Sequence, residues 1–334
     1  MRAVVLEQFG GPLALSEITT PVAGPSELLV RIRASGVNRL DTRIRAGEAA
    51  HAQNLLPAVL GLDLAGVVAE VGADVTGFAP GDEVYGLTGG VGALQGSLAE
   101  YAAVDARLVA HKPTSLSMRE AAALPLVFIT AWVGLVDRAR VRGGQQVLVH
   151  GGAGGVGQAA IQLARDRGAE VFATGSPRSL AAIERLGATA IDYTTTSVEE
   201  YVARYTAGEG FDVIVDTVGG ETLDTAFTAV RTHTGHVVST LGWGTHGTHG
   251  THSLAPLSLR GASYSGIFTL LPMLTGRGRT HHGEILRQAA ALADAGALKP
   301  VLDPRRFTLS TATDAHRAVE SGAPAGRIVI DVTG

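Results

Sequence analysis

Two hydrophobic rhythms divide the chain. Up to Ala121 the apolar positions come in short runs, Val4–Leu6, Leu28–Ile32, Ala65–Val71, Glu83–Tyr85 and Ala99–Ala103, each bounded by Gly, Pro or Asp. That is the pattern of strands joined by turns, and Pro80-Gly81-Asp82 ahead of Glu83 is hairpin chemistry. The glycine-rich irregularity of this part excludes a doubly wound sheet and predicts a compact β-rich barrel. Beyond Ala121 the strand candidates Val147–Val149, Val171–Ala173, Ala190–Asp192, Val213–Val215, His236–Ser239 and Ala262–Ile267 alternate with helical patterns. Alternation of that kind predicts a parallel sheet with both faces covered. After Leu270 come a helix over His282–Ala295, a strand near Phe307, a helix over Thr313–Ser321 and a last strand over Arg327–Val332. This tail is expected to return to the first domain, so the predicted organisation is 1–122, 123–267 and 268–334.

Chemistry first appears where the second rhythm begins. Val147–Val149 ends in a glycine cluster that leads into a helical pattern carrying Ala159, Ile161, Leu163 and Ala164, and a second strand follows Gly168. Within this βαβ unit, Gly152-x-Gly154-x-x-Gly157 is spaced for a tight turn, close approach of backbone to a pyrophosphate, and close packing of helix on strand. Gly155, Val156 and Gly157 open the helix, whose free N–H groups and positive dipole end suit the same anion. A lone motif of this kind is weak in a chain with 44 glycines; the strand before, helix after and second strand supply the context. Just past that second strand an NAD site usually places an acid for the ribose hydroxyl. Here the chain reads Thr174-Gly175-Ser176-Pro177-Arg178-Ser179, small hydroxyls and a cation, which favours NADPH through Ser176 and Arg178. A plainer reading stays open: Ser176 caps a helix beginning near Pro177, and Arg178 is solvated.

Composition narrows the classes. The chain has 334 residues, 46% hydrophobic and 17% charged, enough for two domains with sizeable cores. Its net charge of −4, without a block of one sign, points away from nucleic acid and from acidic membranes. No leader pattern precedes Ala3–Leu6, and the longest apolar stretch, 121–136, is too short for a bilayer and is broken by Pro125 and Thr130. A soluble cytoplasmic protein is expected. Cysteine is absent, which removes disulfides, thiol nucleophiles and thiolate metal ligands together. His246, His249 and His252 recur every third residue in the biased segment Gly242–Ser253. A metal site there would have to order a glycine-rich loop at an entropic cost, so an exposed or substrate-covering loop is the preferred expectation. His281 and His282, at a helix start, are expected to be solvated, and His150 to be packed.

Along essentially its whole length the chain resembles the zinc-independent quinone oxidoreductases, the zeta-crystallin-like group of the medium-chain dehydrogenase/reductase superfamily. The stretches that carry this are SGVNRLDTRIRAG (35–47), LPAVLGLDLAGVVAEVG (56–72), PGDEVYG (80–86), AAALPLVFITAWVGL (121–135), HGGAGGVGQAAIQLA (150–164), LGATAIDY (186–193), FDVIVDTVGG (211–220) and AHRAVESGAPAGRIVI (315–330). The implied fold is α/β, a Rossmann doubly wound parallel sheet plus a GroES-like β-rich barrel domain. Where zinc relatives carry Cys and His ligands, this chain has Asn38 and Leu62, so no metal ligand is expected and hydride transfer must rest on hydrogen bonds and positioning.

The resemblance implies a role for Asn38 as an amide donor to the acceptor's oxygen, with a loop Asn satisfying backbone as the alternative. Asp41 stands beside the site or acts as an ordinary cap. Arg43 occupies a position commonly Tyr, and either stabilises developing enolate charge or faces solvent. Thr130, Tyr193, Gly219, Leu241 and Gly242 are implied to lie near the cofactor, Thr130 being equally readable as a helix-interior residue. The implied activity is NADPH-dependent reduction of a quinone. The alternatives are reduction of α,β-unsaturated carbonyls and, in another class, cofactor binding without turnover. A homodimer through an edge strand at Ala262–Ile267 is implied as well.

Overall fold

The computed structural model describes residues 1–241, 251–322 and 326–332. The chain divides into two units, Met1–Ile129 with Leu270–Gly334, and Thr130–Thr269. The first opens with strands β1 (Arg2–Leu6), β2 (Leu13–Glu17), β3 (Glu27–Val37), β4 (Ala58–Val59), β5 (Asp63–Val71), β6 (Glu83–Leu87), β7 (Tyr101–Asp105) and β8 (Val109–His111). Helix α1 (Arg39–Ala46) follows β3, and α2 (Met118–Ala122) and α3 (Pro125–Trp132) follow β8. The second unit alternates β9 (Gln146–His150), α4 (Gly155–Asp166), β10 (Glu170–Gly175), α5 (Leu180–Arg185), β11 (Thr189–Asp192), α6 (Val198–Thr206), β12 (Val213–Asp216), α7 (Glu221–Ala229), β13 (His236–Ser239), α8 (Ala255–Arg260) and β14 (Ser263–Gly266). The chain then re-enters the first unit with α9 (Leu271–Thr275), α10 (Arg279–Asp294), β15 (Phe307–Thr308), α11 (Ala312–Glu320) and β16 (Ile328–Asp331).

β3 is the spine of the first unit. Its sheet runs β15-β16-β3-β5-β6-β8, with β7 also paired to β3, while β2-β1-β4 form a smaller sheet. The β3–β5 register slips at Leu29/Val30 and again at Ile32/Ala34; such bulges bend and twist a strand pair. Where they bend, Gly66 lies so close to β3 that a Cβ there would be 2.4 Å from the Arg31 carbonyl. The tail pairs antiparallel with the far end of β3, Ile328 opposite Val37 and Asp331 opposite Ala34. That pairing brings Arg327 beside the end of β3, 289 residues away from Asn38 in sequence.

α10 corrects one expectation. His281 is exposed, but His282 is buried, because this helix lies against the backbone around β8: a Cβ at Gly283 would be 2.7 Å from the Arg107 carbonyl. Burial, with the neighbouring His281, lowers the His282 pKa to about 4, so it is a neutral core residue.

The second unit has a parallel sheet ordered β11-β10-β9-β12-β13-β14. Leu148, Phe172, Ile191, Phe211, Ile214, Phe227 and Val237 form a continuous buried cluster with Leu223 of α7 and Leu257 of α8. Each such side chain contributes about 1.5–3 kcal/mol by leaving water. The order reverses direction between β9 and β12, and the crevice outside the carboxyl ends of strands at such a point is where open α/β sheets bind ligands. Ala262–Ile267, expected at an edge, contains β14, the outermost strand of this sheet.

Candidate active site

In the second unit, β9 ends at His150 and the chain turns at Gly151, whose φ of 75° lies in the region that favours glycine. A Cβ at Gly152 would be 2.6 Å from the Ala173 Cβ, and one at Gly157 would be 2.3 Å from the Gly151 carbonyl. Close packing of turn, helix and strand therefore demands glycine at both. Gly154 is the residue before α4, with no side chain to cap it. The helical ladder starts with Gln158 N–H to the Gly154 carbonyl at 2.8 Å, which leaves the N–H groups of Gly155, Val156 and Gly157 as the first-turn donors. This cradle fits a dinucleotide pyrophosphate by its backbone alone.

Neighbouring strand ends bring further expected residues to the same edge of the sheet. Ser176 and the exposed Arg178 follow β10. Ser179 turns back there, its N–H and hydroxyl both donating to the Ser176 carbonyl at 2.8 and 2.9 Å. That closed turn delays the helix to Leu180, three residues past the expected start. Tyr193 follows β11, is 61% exposed, and its N–H reaches the Gly175 carbonyl at 3.3 Å. Gly219 follows β12, next to β9 across the switch point, and Leu241 follows β13. Thr130 is buried on α3. Gly242, Trp243, His246 and His249 lie outside the described residues, and His252 holds Asp224 at 2.9 Å. His150 is buried as expected, its pKa lowered by burial against the opposing charge of Asp216.

Asp216 was not singled out in the sequence, yet it organises the loop after β12. Fully buried, it accepts from the N–H groups of Val218 and Gly219 at 3.2 and 3.1 Å and from the Ser239 hydroxyl at 2.8 Å. Thr217 ties the same loop to the His150 carbonyl at 2.8 Å.

The first unit holds a different kind of site, made of side chains. Asn38 stands just before α1 and is 2% exposed. Its N–H donates to Asp41 at 2.8 Å, its side-chain Nδ2 donates to Asp63 Oδ2 at 2.9 Å, and its Oδ1 accepts from Arg327 Nη2 at 2.6 Å. Asp63 Oδ1 in turn accepts from the N–H of Leu126 in the first turn of α3 at 2.9 Å, and Arg327 Nε donates to the Ala123 carbonyl at 3.1 Å. Arg327 Nη2 and Asp63 Oδ2 are 3.7 Å apart.

Burial pushes both carboxyls up to about 7. At Asp63 it is opposed by Arg327, the Asn38 amide and the Leu126 N–H. Asp41 has the charge of Asp63 added against it, and its Oδ1 is buried without a partner. Burial therefore favours the protonated form at both, and it is opposed more strongly at Asp63, whose contacts with Arg327, the Asn38 amide and the Leu126 N–H favour the charged form. Asp63 and Arg327 were both missed by sequence reasoning. The signal was a charged residue inside an otherwise apolar run in each case, GLDLAG and GRIVI. Arg43 is not part of this cluster. It stands two positions beyond Asp41 on α1, and residues so spaced do not share a helix face. It is half-buried, and after burial itself its charge is what lowers the pKa of His51.

The positions that would correspond to zinc ligands do not fit the metal. Leu62 is a fully buried aliphatic side chain, and both polar atoms of the Asn38 amide are engaged. Among the described residues, no group of three or more His, Asp or Glu side chains is arranged to hold a metal ion. No described helix is long and apolar enough to cross a membrane.

Comparison with known proteins adds an independent view. Residues 24–114 match the alcohol dehydrogenase GroES-like domain, and residues 186–330 match a family described as zinc-binding dehydrogenase. The chain is 35% identical over 94% of its length to the spectinabilin polyketide synthase system protein NorB of Streptomyces orinoci, of which it spans 13%. It is 33% identical over 99% of its length to the chloroplastic NADPH-dependent alkenal/one oxidoreductase of Arabidopsis thaliana, spanning 79% of that protein. A solved structure of an alcohol dehydrogenase superfamily protein from Novosphingobium aromaticivorans is 53% identical, covers all of both chains and superposes with a TM-score of 0.96.

Proposed function

This chain belongs to the medium-chain dehydrogenase/reductase superfamily, in its zinc-independent reductase group, and on that premise we propose that it is an NADPH-dependent reductase of α,β-unsaturated carbonyl compounds. The observation that carries the reading is the pairing of a backbone dinucleotide cradle with a buried, hydrogen-bonded amide at Asn38, in a chain whose described residues include no group arranged to hold a metal ion. A bound NADPH supplies hydride. The chain's own residues supply the rest. Gly152, Gly154 and Gly157 admit the pyrophosphate, and the N–H groups of Gly155 and Val156 bind it. Ser176 and Arg178 stand where a 2′-phosphate is read, Tyr193 flanks them, and Thr130, Gly219, Leu241 and Gly242 are assigned to the nicotinamide end.

Asn38 is assigned to the substrate. Its Nδ2 has two hydrogens, of which Asp63 takes one; the other holds the acceptor's carbonyl oxygen as it gains negative charge. An acceptor suited to a single amide donor must already be electrophilic, which conjugated carbonyls are and simple alcohols are not. Asp41 supports Asn38 through its backbone N–H. Arg43, half-buried at a position where related quinone reductases commonly carry Tyr, is assigned to developing enolate charge. The named activity of the Arabidopsis relative supports an enal or enone over a quinone. Quinone reduction is the second reading, since a quinone carbonyl is conjugated in the same way and would meet the same amide. We also propose a homodimer through β14, the exposed edge of the parallel sheet; a monomeric mass by light scattering would exclude it.

The test is NADPH oxidation in chelator-treated buffer with a 2-alkenal, an alkenone, an ortho-quinone and a para-quinone, run in parallel with NADH. Turnover of the alkenal or alkenone that survives chelation is expected. Turnover of quinones alone would replace the first reading by the second. Tight NADPH binding with no oxidation by any acceptor would mean a binding protein.

A further inference from the structure

The Asn38 amide has a defined orientation because its two neighbours have opposite abilities. A guanidinium only donates and a carboxylate only accepts, so Arg327 Nη2 must face Oδ1, at 2.6 Å, and Asp63 Oδ2 must face Nδ2, at 2.9 Å. With the amide reversed, donor would meet donor at Arg327 and acceptor would meet acceptor at Asp63, in a place where Asn38 is buried. Each partner is held from a further direction. Asp63 is tied by its second oxygen to the Leu126 N–H at 2.9 Å, and Arg327 by Nε to the Ala123 carbonyl at 3.1 Å. The Arg327 backbone is fixed as well, its N–H donating to Val301 at 2.7 Å and its carbonyl accepting from Asp303 at 3.0 Å. Such support exceeds what a loop asparagine satisfying backbone groups needs.

We propose that Asp63 and Arg327 are positioning residues of the reduction, acting through Asn38: together they fix its carboxamide so that one Nδ2 hydrogen is always presented to the acceptor's oxygen. This rests on the proposed assignment of Asn38 to the substrate. Neither residue touches substrate in this scheme. Their contribution is that the donor is already oriented when charge develops, and a donor that needs no reorientation stabilises that charge most.

The chain contains only two asparagines, Asn38 and Asn54, so ¹⁵N-asparagine labelling of the full chain gives two side-chain amide pairs in an NMR spectrum. Asn54→Ala identifies the pair belonging to Asn38. In the unmodified protein the Asn38 protons are expected to be well separated and slow to exchange with water. Asp63→Asn and Arg327→Gln should each speed that exchange by at least about tenfold, with Arg327→Lys intermediate because it keeps the charge and loses the fork. Circular dichroism checks that each variant is folded, and Asp63→Glu, which restores an acceptor, keeps the test available should Asp63→Asn fail to fold. In steady-state kinetics with an alkenone, Asp63→Asn should lower kcat about tenfold with the KM for NADPH unchanged. On an Asn38→Ala background it should lower kcat no further. An Asn38 amide pair unaffected by both substitutions would overturn the proposal, as would losses from Asp63→Asn and Asn38→Ala that multiply. Absence of turnover in the unmodified chain would remove the proposed function, while the amide measurement would still decide whether Asp63 and Arg327 orient Asn38.

Discussion

The glycine turn of the second unit and the Asn38 cluster of the first solve the same physical problem, holding polar groups ready for charge that arrives from outside, with opposite materials. The turn at Gly151–Gly157 does it with backbone N–H groups at the start of a helix, and its side chains matter by being absent. The cluster does it with side chains brought together from three separate stretches, at positions 38 and 41, 63, and 327. A backbone site is cheap to desolvate because it carries no full charge. A side-chain site that buries two carboxyls and a guanidinium stays stable only while every member is present, since removing one leaves another unpaired. The two regions should therefore fail in different ways.

The largest effect is expected from Asp63→Leu. It removes the acceptor of the Asn38 amide and of the Leu126 N–H, and leaves Arg327 without its carboxylate. A loss of about 3–5 kcal/mol in unfolding free energy is expected, read from urea midpoints, and a loss below 1 kcal/mol would show that the cluster is effectively solvated. Gly157→Ala comes next. Its Cβ would sit 2.3 Å from the Gly151 carbonyl, so the turn has to open, at a cost of about 1–3 kcal/mol in stability. Titration calorimetry should show NADPH affinity falling on the order of 100-fold, because the displaced backbone is itself the binding group. Unchanged affinity would separate the turn from the cofactor and break the comparison.

The same contrast explains what was legible in the sequence. Val147–Val149, the glycines and the helix after them are contiguous, and their spacing encodes a geometry that repeats wherever such a turn is built; the strand and helix that flank it fall where the pattern placed them. Asp63 and Arg327 carried no comparable local signal. Each is one charged residue at an end of a strand, and only the antiparallel pairing of β16 with β3 turns a separation of 289 residues into a contact of 2.6 Å between Arg327 and Asn38. His282 was misread for the same reason: the helix start was visible, but the backbone packed against that helix was not.

The cluster should also mark itself in the pH dependence of stability, which the glycine turn cannot do. Burial raises Asp41 from an ordinary 3.8 to about 7, and the same cause raises Asp63. Between those values the folded chain holds a proton that the unfolded chain has released, so stability is greatest at the acid end of the window, falls as pH rises towards 7 and levels off above it. The slope is at most about 1.4 kcal/mol per pH unit for each proton involved. Asp41→Asn can keep the acceptor for the Asn38 N–H and should flatten the slope of urea midpoints between pH 4.5 and 7 to roughly half. A slope of the same size in the variant would assign the titration elsewhere.

The smallest effect is expected at the rim of the glycine site. Arg178 is exposed and makes no hydrogen bond or ion pair among the described residues, so none of them depends on it and Arg178→Ala should leave the urea midpoint unchanged. Its proposed partner is a phosphate that NADH lacks. Losing one exposed charge-assisted contact to that phosphate should weaken NADPH about tenfold and NADH hardly at all, a difference that should shrink as salt is raised because the contact is open to solvent. Equal losses for the two cofactors would mean that Arg178 acts on the turn closed by Ser176 and Ser179 rather than on the phosphate. No loss for either would leave the choice of cofactor to Ser176 and Tyr193, whose N–H reaches the Gly175 carbonyl, and the readout of the 2′-phosphate would then be made by neutral groups, as the pyrophosphate cradle already is.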